Sequence, residues 1–237
     1  LFGARLITVP ARSYGADIPA MLRAITPRTR MLFLANPNNP TGTLATRAAI
    51  SELLAGVPPH VLLVLDEAYI EFLEDSADCL SLIREGTQPN LLLMRTFSKI
   101  FGLAGLRLGY GVGSADLISG LERIRQPFNI NALAQAGALA ALDDPDHLAA
   151  TRANNRQGLE YLHTAFAQMG VEHVPSHANF VMVRVGDGSR VFSELQKRGV
   201  ITRPMASYAL PEWIRISVGL PAENHRCVAA LREILGA

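Results

Sequence analysis

Three short apolar runs, Met31–Ala35, Val61–Leu65 and Leu91–Met94, constrain this chain more than any other feature. Val61–Leu65 has no polar residue at all, the mark of a strand buried on both faces. Helical patterns precede and separate the runs. Asp17 stands as an N-cap ahead of Ile18, Met21, Leu22 and Ile25, spaced i, i+3, i+4, i+7, with Pro19 in the first turn where proline is tolerated. Thr46 caps a second pattern, Ala48, Ala49, Ile50, Leu53 and Leu54, closed by Gly56. With Ala4–Val9 read as a further short strand, the order is strand, helix, strand, which requires a parallel sheet with right-handed crossovers.

Each run opens into a stretch rich in reactive groups. Met31–Ala35 leads into Asn36-Pro37-Asn38-Asn39-Pro40-Thr41-Gly42, a rigid turn by its prolines and glycine. It reads as a plain connection, or as an amide held at the carboxyl end of a parallel strand, where ligands of open α/β sheets bind. Val61–Leu65 leads into Asp66-Glu67-Ala68-Tyr69. A carboxylate buried there needs a cationic partner. The competing reading, an exposed loop acid, fits Glu67 better than Asp66. Leu91–Met94 leads into Arg95-Thr96-Phe97-Ser98-Lys99, with Gly105 and Arg107 beyond. Of 22 Lys+Arg, only Lys99 and Lys197 are lysines, and Lys197 lies in a polar helix end.

A solvated surface charge is the common reading of an isolated Ser-Lys. The alternative is an amine that bonds an aldehyde, beside a hydroxyl and a guanidinium that bind a phosphate. Those are the needs of pyridoxal phosphate, whose ring nitrogen would also suit the Asp66 carboxylate. Asn39, Asp66, Tyr69, Lys99 and Arg107 all fall at or just beyond strand ends of one sheet, which predicts that they converge on one crevice.

The remaining chain extends the pattern. Glu71–Leu82 reads as an irregular connection and Arg107–Val112 as another strand. Helices follow near Asp116–Arg125 and over Asn131–Leu142. Gly109-x-Gly111-x-Gly113 lacks the spacing of a phosphate loop and reads as structural. A long helix, His147–Met169, is expected to link two domains. Beyond it come strand Phe180–Val185, helix Ser189–Arg198, strands Val200–Arg203 and Trp213–Val218, and helix Glu223–Leu235, a small α/β layer of mixed strands. The division falls at residues 1–145 and 146–237. With 237 residues, 49% of them hydrophobic, the chain has material for one large or two modest domains. With a net charge of +1, neither a nucleic-acid nor an acidic-surface partner is implied. Cys79 and Cys227 form no CxxC and suggest no disulfide framework, which fits a reducing compartment. No apolar run approaches the roughly 18 residues of a membrane span. His173 and His177 are four apart, but Pro175 between them excludes a helical metal pair, and no metal is expected. The chain opens at Leu1 on residues that read as the middle of a fold, so an upstream segment is expected.

These motifs resemble the fold type I pyridoxal-phosphate-dependent aminotransferases, and among them the histidinol-phosphate aminotransferases. The resemblance is carried by Asn36 to Gly42, by Asp66-Glu67-Ala68-Tyr69-Ile70-Glu71-Phe72, and by Arg95 to Lys99 with Gly102-Leu103-Ala104-Gly105-Leu106-Arg107. Pro127-Phe128-Asn129, Ala178-Asn179-Phe180 and Arg215-Ile216-Ser217-Val218-Gly219 add to it. It spans nearly all of this chain and the later two-thirds or so of such an enzyme. It implies a mostly parallel sheet with flanking helices, belonging to the large cofactor-binding domain, and a smaller C-terminal α/β domain.

The resemblance also implies roles. Lys99 would bond the cofactor aldehyde and later move the substrate proton. Asp66 would pair with the ring nitrogen, and Tyr69 and Asn39 would hydrogen-bond the ring oxygen. Ser98 and Arg107 would bind the cofactor phosphate. Arg215 would clamp the substrate anion, the carboxylate of L-glutamate or the phosphate of histidinol phosphate. Arg203, in Thr202-Arg203-Pro204, resembles the family's second arginine for that anion. A cytoplasmic homodimer acting in histidine biosynthesis is implied, with no nucleic acid and no membrane. A related decarboxylase of threonine phosphate and an aromatic aminotransferase are the rival enzymes. The effector domain of a pyridoxal-phosphate-binding transcription regulator is the rival of another class. The string Asp66–Phe72 and Leu210-Pro211-Glu212-Trp213-Ile214-Arg215 favour the histidinol-phosphate enzymes.

Overall fold

The structure is a computed structural model that describes residues 3–236. It divides into two compact units, Leu1–Asn38 with Leu44–Ala141, and Asn39–Thr43 with Leu142–Ala237.

The first unit contains helix α1 (Ile18–Arg23), strand β1 (Met31–Ala35), α2 (Arg47–Gly56), β2 (Leu62–Asp66), α3 (Cys79–Arg84), β3 (Leu91–Thr96), β4 (Gly109–Gly113), α4 (Ala115–Glu122) and nearly all of α5 (Ala132–Leu142). The caps act as the sequence implies: Asp17 Oδ1 accepts the Ala20 N–H at 2.9 Å and Thr46 Oγ1 the Ala49 N–H at 3.1 Å. The sheet order is β1-β2-β3-β4. β1, β2 and β3 run parallel, whereas β4 pairs antiparallel with β3. Leu32, Leu34, Leu63, Leu65, Leu91 and Leu93 share one core with Ile18, Ile50 and Leu53 of the helices. Each leucine so enclosed contributes roughly 1.5–3 kcal/mol of transfer free energy. Side chains alternate across the pleat, so Met31, Phe33 and Met94 point to the other face and stay exposed.

In the second unit, α6 (Pro145–Gln168), β5 (His173–Val174), β6 (Phe180–Arg184), α7 (Gly188–Lys197), β7 (Arg203–Pro204), β8 (Trp213–Ser217) and α8 (Pro221–Leu235) follow in order. Its sheet is β5-β6-β8-β7. Leu162 and Phe166 of α6, Val191 and Leu195 of α7, and Val228 and Leu231 of α8 close over Val181, Val183, Ile214 and Ile216.

Four sequence expectations change. Ala4–Val9 forms no strand: among the described residues no neighbouring strand takes up its N–H and C=O groups, and it lies largely exposed. Part of Glu71–Leu82 is ordered as α3, capped by Asp78, whose Oδ1 accepts the Ser81 N–H at 3.1 Å. Val200–Arg203 shrinks to the two-residue β7, since Val200 and Ile201 have no ladder partner. The second sheet is antiparallel throughout rather than mixed.

The segment Asn39–Thr43 is fastened within the second unit. The His177 N–H donates to the Gly42 carbonyl at 2.8 Å. Gly42 has φ +78°, and a Cβ there would come within 2.7 Å of Ser176 Cβ. Gly86, at φ +69°, has open space around it. Gly42→Ala is therefore expected to cost clearly more stability than Gly86→Ala, which meets only the backbone penalty of about 1 kcal/mol. Paired denaturant titrations check this; equal losses would mean that the close approach to Ser176 is relieved at no cost.

Candidate active site

Parallel pairing gathers the chemistry of the first unit at one edge. β1, β2 and β3 all end there, and the Asn36 N–H donates to the Asp66 carbonyl at 2.9 Å. The antiparallel β4 begins at this edge, with Gly109 opposite Thr96. Arg107, two residues ahead of β4, thereby returns to the Lys99 turn.

Around that turn, the Ser98 N–H donates to Thr96 Oγ1 at 3.0 Å and the Phe97 N–H to the Leu108 carbonyl at 3.1 Å. Lys99 Nζ lies over the Tyr69 ring, 5.2 Å from its centre, and Tyr69 is 3% exposed. An ammonium against an aromatic face is favoured there. Arg107 takes a left-handed backbone, φ +53°. Its Nη1 donates to the Ala104 carbonyl at 2.8 Å and to Ser98 Oγ at 3.4 Å. A guanidinium and a hydroxyl side by side match the acceptor oxygens of a phosphate. Asp66 is exposed, and its Oδ1 accepts the Ala68 N–H at 3.0 Å.

The two acids after β2 exchange their expected places. Glu67, expected in solvent, is 4% exposed. Leu63, Leu65 and Glu67 share the helix-covered face, so alternation turns Asp66 outward and Glu67 inward. Burial raises the Glu67 carboxyl above its ordinary range, and the Arg95 guanidinium opposes that rise. Arg95 Nε and Nη2 reach Glu67 Oε2 at 2.9 and 2.8 Å. Only spatial packing reveals this pair; nothing local in the sequence separates Glu67 from Asp66.

In the second unit, Arg203 of β7 and Arg215 of β8 are direct cross-strand partners. Like charges placed opposite one another destabilise a sheet. Arg215 lies over the ring of Phe180, 4.7 Å from its centre, and its Nη1 donates to Asn39 Oδ1. Arg215 Nε is buried with no hydrogen-bond partner. Direct pairing sets Arg203 and Arg215 on the same face of the sheet, and a guanidinium's planar fork suits a carboxylate or phosphate. Arg203→Ala should stabilise the chain by about 0.2–1 kcal/mol in low-salt buffer without phosphate, by removing the repulsion. It should also blunt the rise in melting temperature on adding inorganic phosphate. A thermal melt series checks both, and a variant that melts lower while keeping the full response to phosphate would contradict the paired-charge reading.

The sequence profile of the family described as aminotransferase class I and II matches residues 1–231. The chain is 54% identical over 239 residues to histidinol-phosphate aminotransferase 2 of Ralstonia nicotianae, covering 98% of this chain and 63% of that protein. It is 48% identical to histidinol-phosphate aminotransferase of Akkermansia muciniphila, covering 99% of this chain and 64% of that protein. The solved histidinol-phosphate aminotransferase of Sinorhizobium meliloti, in complex with pyridoxal-5'-phosphate, superposes with a TM-score of 0.85 at 31% identity, over 99% of this chain and 65% of that one. The chain thus spans less than two thirds of the length of these relatives. With the fold, the gathered strand edge and the matched profile in agreement, this chain belongs to the aminotransferase class I and II family.

Proposed function

We propose that the chain carries the reactive core of a histidinol-phosphate aminotransferase, which uses pyridoxal 5'-phosphate to exchange an amino group between L-glutamate and the keto form of histidinol phosphate. The observation that carries this reading is the Lys99 amine against the buried Tyr69 ring, on the same turn whose Ser98 hydroxyl meets Arg107. The residues fit the cofactor: an amine for its aldehyde, a hydroxyl–guanidinium pair for its phosphate, and an exposed carboxylate, Asp66, for its ring nitrogen. The relatives at 48–54% identity favour this substrate class over the decarboxylase and aromatic alternatives.

When bound, the pyridoxal ring supplies an electron sink for the pair left at the substrate Cα. Lys99 would supply the amine that anchors the cofactor and the base that moves the substrate Cα proton. Asp66 keeps the ring nitrogen protonated through its charge. Tyr69 would hydrogen-bond the ring oxygen through its hydroxyl. Ser98 and Arg107 hold the phosphate. Arg215, steadied by Asn39 and Phe180, binds the substrate's carboxylate or phosphate, and Arg203 adds a second charge. We assign the first unit to the large domain and the second to the small domain. We place the enzyme in the cytoplasm as a homodimer, the commonest closed assembly. Among the described residues, no helix is long and apolar enough to cross a membrane.

Mixing the chain with pyridoxal 5'-phosphate should give an absorption band near the visible edge that Lys99→Ala lacks. Histidinol phosphate should then discharge the band, and 2-oxoglutarate should restore it with release of L-glutamate. A parent chain that binds the cofactor but ignores histidinol phosphate would contradict the substrate assignment.

A further inference from the structure

Behind Asp66 and the Lys99 turn lies a row of polar side chains that the proposed chemistry does not use. Glu67 directly follows β2, and its N–H donates to the Met94 carbonyl at 2.8 Å, extending the pairing with β3 by one residue. Its carboxylate meets Arg95, whose side chain is 19% exposed. Arg95 stands directly opposite Tyr110 of β4 on the same face of the sheet, and the guanidinium and the Tyr110 hydroxyl influence one another electrostatically. The Tyr110 ring packs on Phe97 at 5.7 Å, and Phe97 on Phe101 at 4.9 Å. The row thus crosses β2, β3 and β4 at the height where each strand gives way to site residues.

Stability alone does not call for this row. A buried ion pair loses much of its Coulomb gain to desolvation, and a well-packed apolar pair of similar volume often does as well or better. What the pair adds is direction. Glu67 adjoins Asp66, and Arg95 lies four residues before Lys99, so the pair joins the two segments through a forked contact. Asp66, Asp78 and Cys79 are the other ionisable groups facing Glu67, and Glu71 faces Tyr110. Among the described residues, Arg95 is the cation that opposes the effect of burial on Glu67.

We propose that the Glu67–Arg95–Tyr110 row is a positioning device that fixes the Asp66 carboxylate relative to the Lys99 amine. Glu67, Arg95 and Tyr110 are positioning residues: they act through Asp66 and the Lys99 turn. The proposal rests on the pyridoxal-phosphate reading of Lys99.

The test compares the full chain with Glu67→Gln, Arg95→Met, the double variant and Tyr110→Phe. Cofactor affinity is read by titrating pyridoxal 5'-phosphate, and the pH midpoint is read from the absorption band. Glu67→Gln leaves Arg95 unopposed and should lower the midpoint, whereas Arg95→Met should raise it. One uncompensated charge in this partly buried setting shifts such a midpoint by about half a pH unit or more. The double variant leaves neither charge unpaired. It should fold, return the midpoint towards the parent value, and still bind the cofactor about tenfold more weakly, because the forked contact is lost. The opposite midpoint shifts report the two charges, whereas weaker cofactor binding by a folded double variant, with its midpoint restored, reports lost positioning. A folded double variant with parent affinity, or single variants with the parent midpoint, would overturn the proposal. If the charge variants fail to fold, Tyr110→Phe decides, since it removes one hydroxyl from a partly exposed ring. An affinity about threefold weaker is expected there, and parent affinity would overturn the proposal. A parent chain without any band would refute the cofactor reading itself and this proposal with it, an outcome distinct from a normal parent band with unaffected variants.

Discussion

The candidate site depends on the parallel register of β1, β2 and β3. Leu34 pairs with Leu65 and Leu65 with Leu93, so these leucines fall on one buried face and the strands end together. A slip of one residue would turn them to the other face of the sheet. Hydrophobic burial thus sets the sheet edge at which Asp66 and the Lys99 turn lie. The antiparallel return of β4 does the same for Arg107, which a fourth parallel strand would have carried to the opposite edge.

Two arrangements of charge in this fold have opposite logic. Buried Glu67 and half-buried Arg95 satisfy one another. Arg203 and Arg215 are set side by side in the second sheet with nothing of opposite sign between them in the ladder. The first is an internal ion pair; the second places two positive charges on one face of the sheet, which is why the proposed function gives it the substrate anion. Phe180, 1% exposed, shows how the second is sustained: the ring face offers Arg215 an attraction that does not neutralise its charge.

The sequence made the strand runs, the caps of α1 and α2 and the long helix α6 legible, because each depends on residues close together in the chain. It could not show that β4 reverses direction, since a short connection and an apolar run serve either sense. It misplaced Ala4–Val9, whose pattern suits a strand but which has no partner to pair with. The inversion of Asp66 and Glu67 shows the same limit at the site. Alternation says that one of two adjacent acids is buried, and only the phase of the pleat says which. The Arg203–Arg215 pairing was equally hidden, since register between β7 and β8 is decided by packing rather than by spacing. The motifs resembling an aminotransferase, by contrast, were recognisable in full, because reactive groups cluster where strands end.

The central claim is that Lys99 is the amine that takes an aldehyde cofactor. The chain holds only two lysines, Lys99 and Lys197, which makes a direct trial possible. The chain would be incubated with pyridoxal 5'-phosphate, reduced with borohydride to make the amine–aldehyde bond permanent, and digested for peptide mass spectrometry. The account predicts one reduced pyridoxyl phosphate on the peptide containing Lys99 and none on that containing Lys197. Equal labelling of both, or labelling of Lys197 alone, would contradict it.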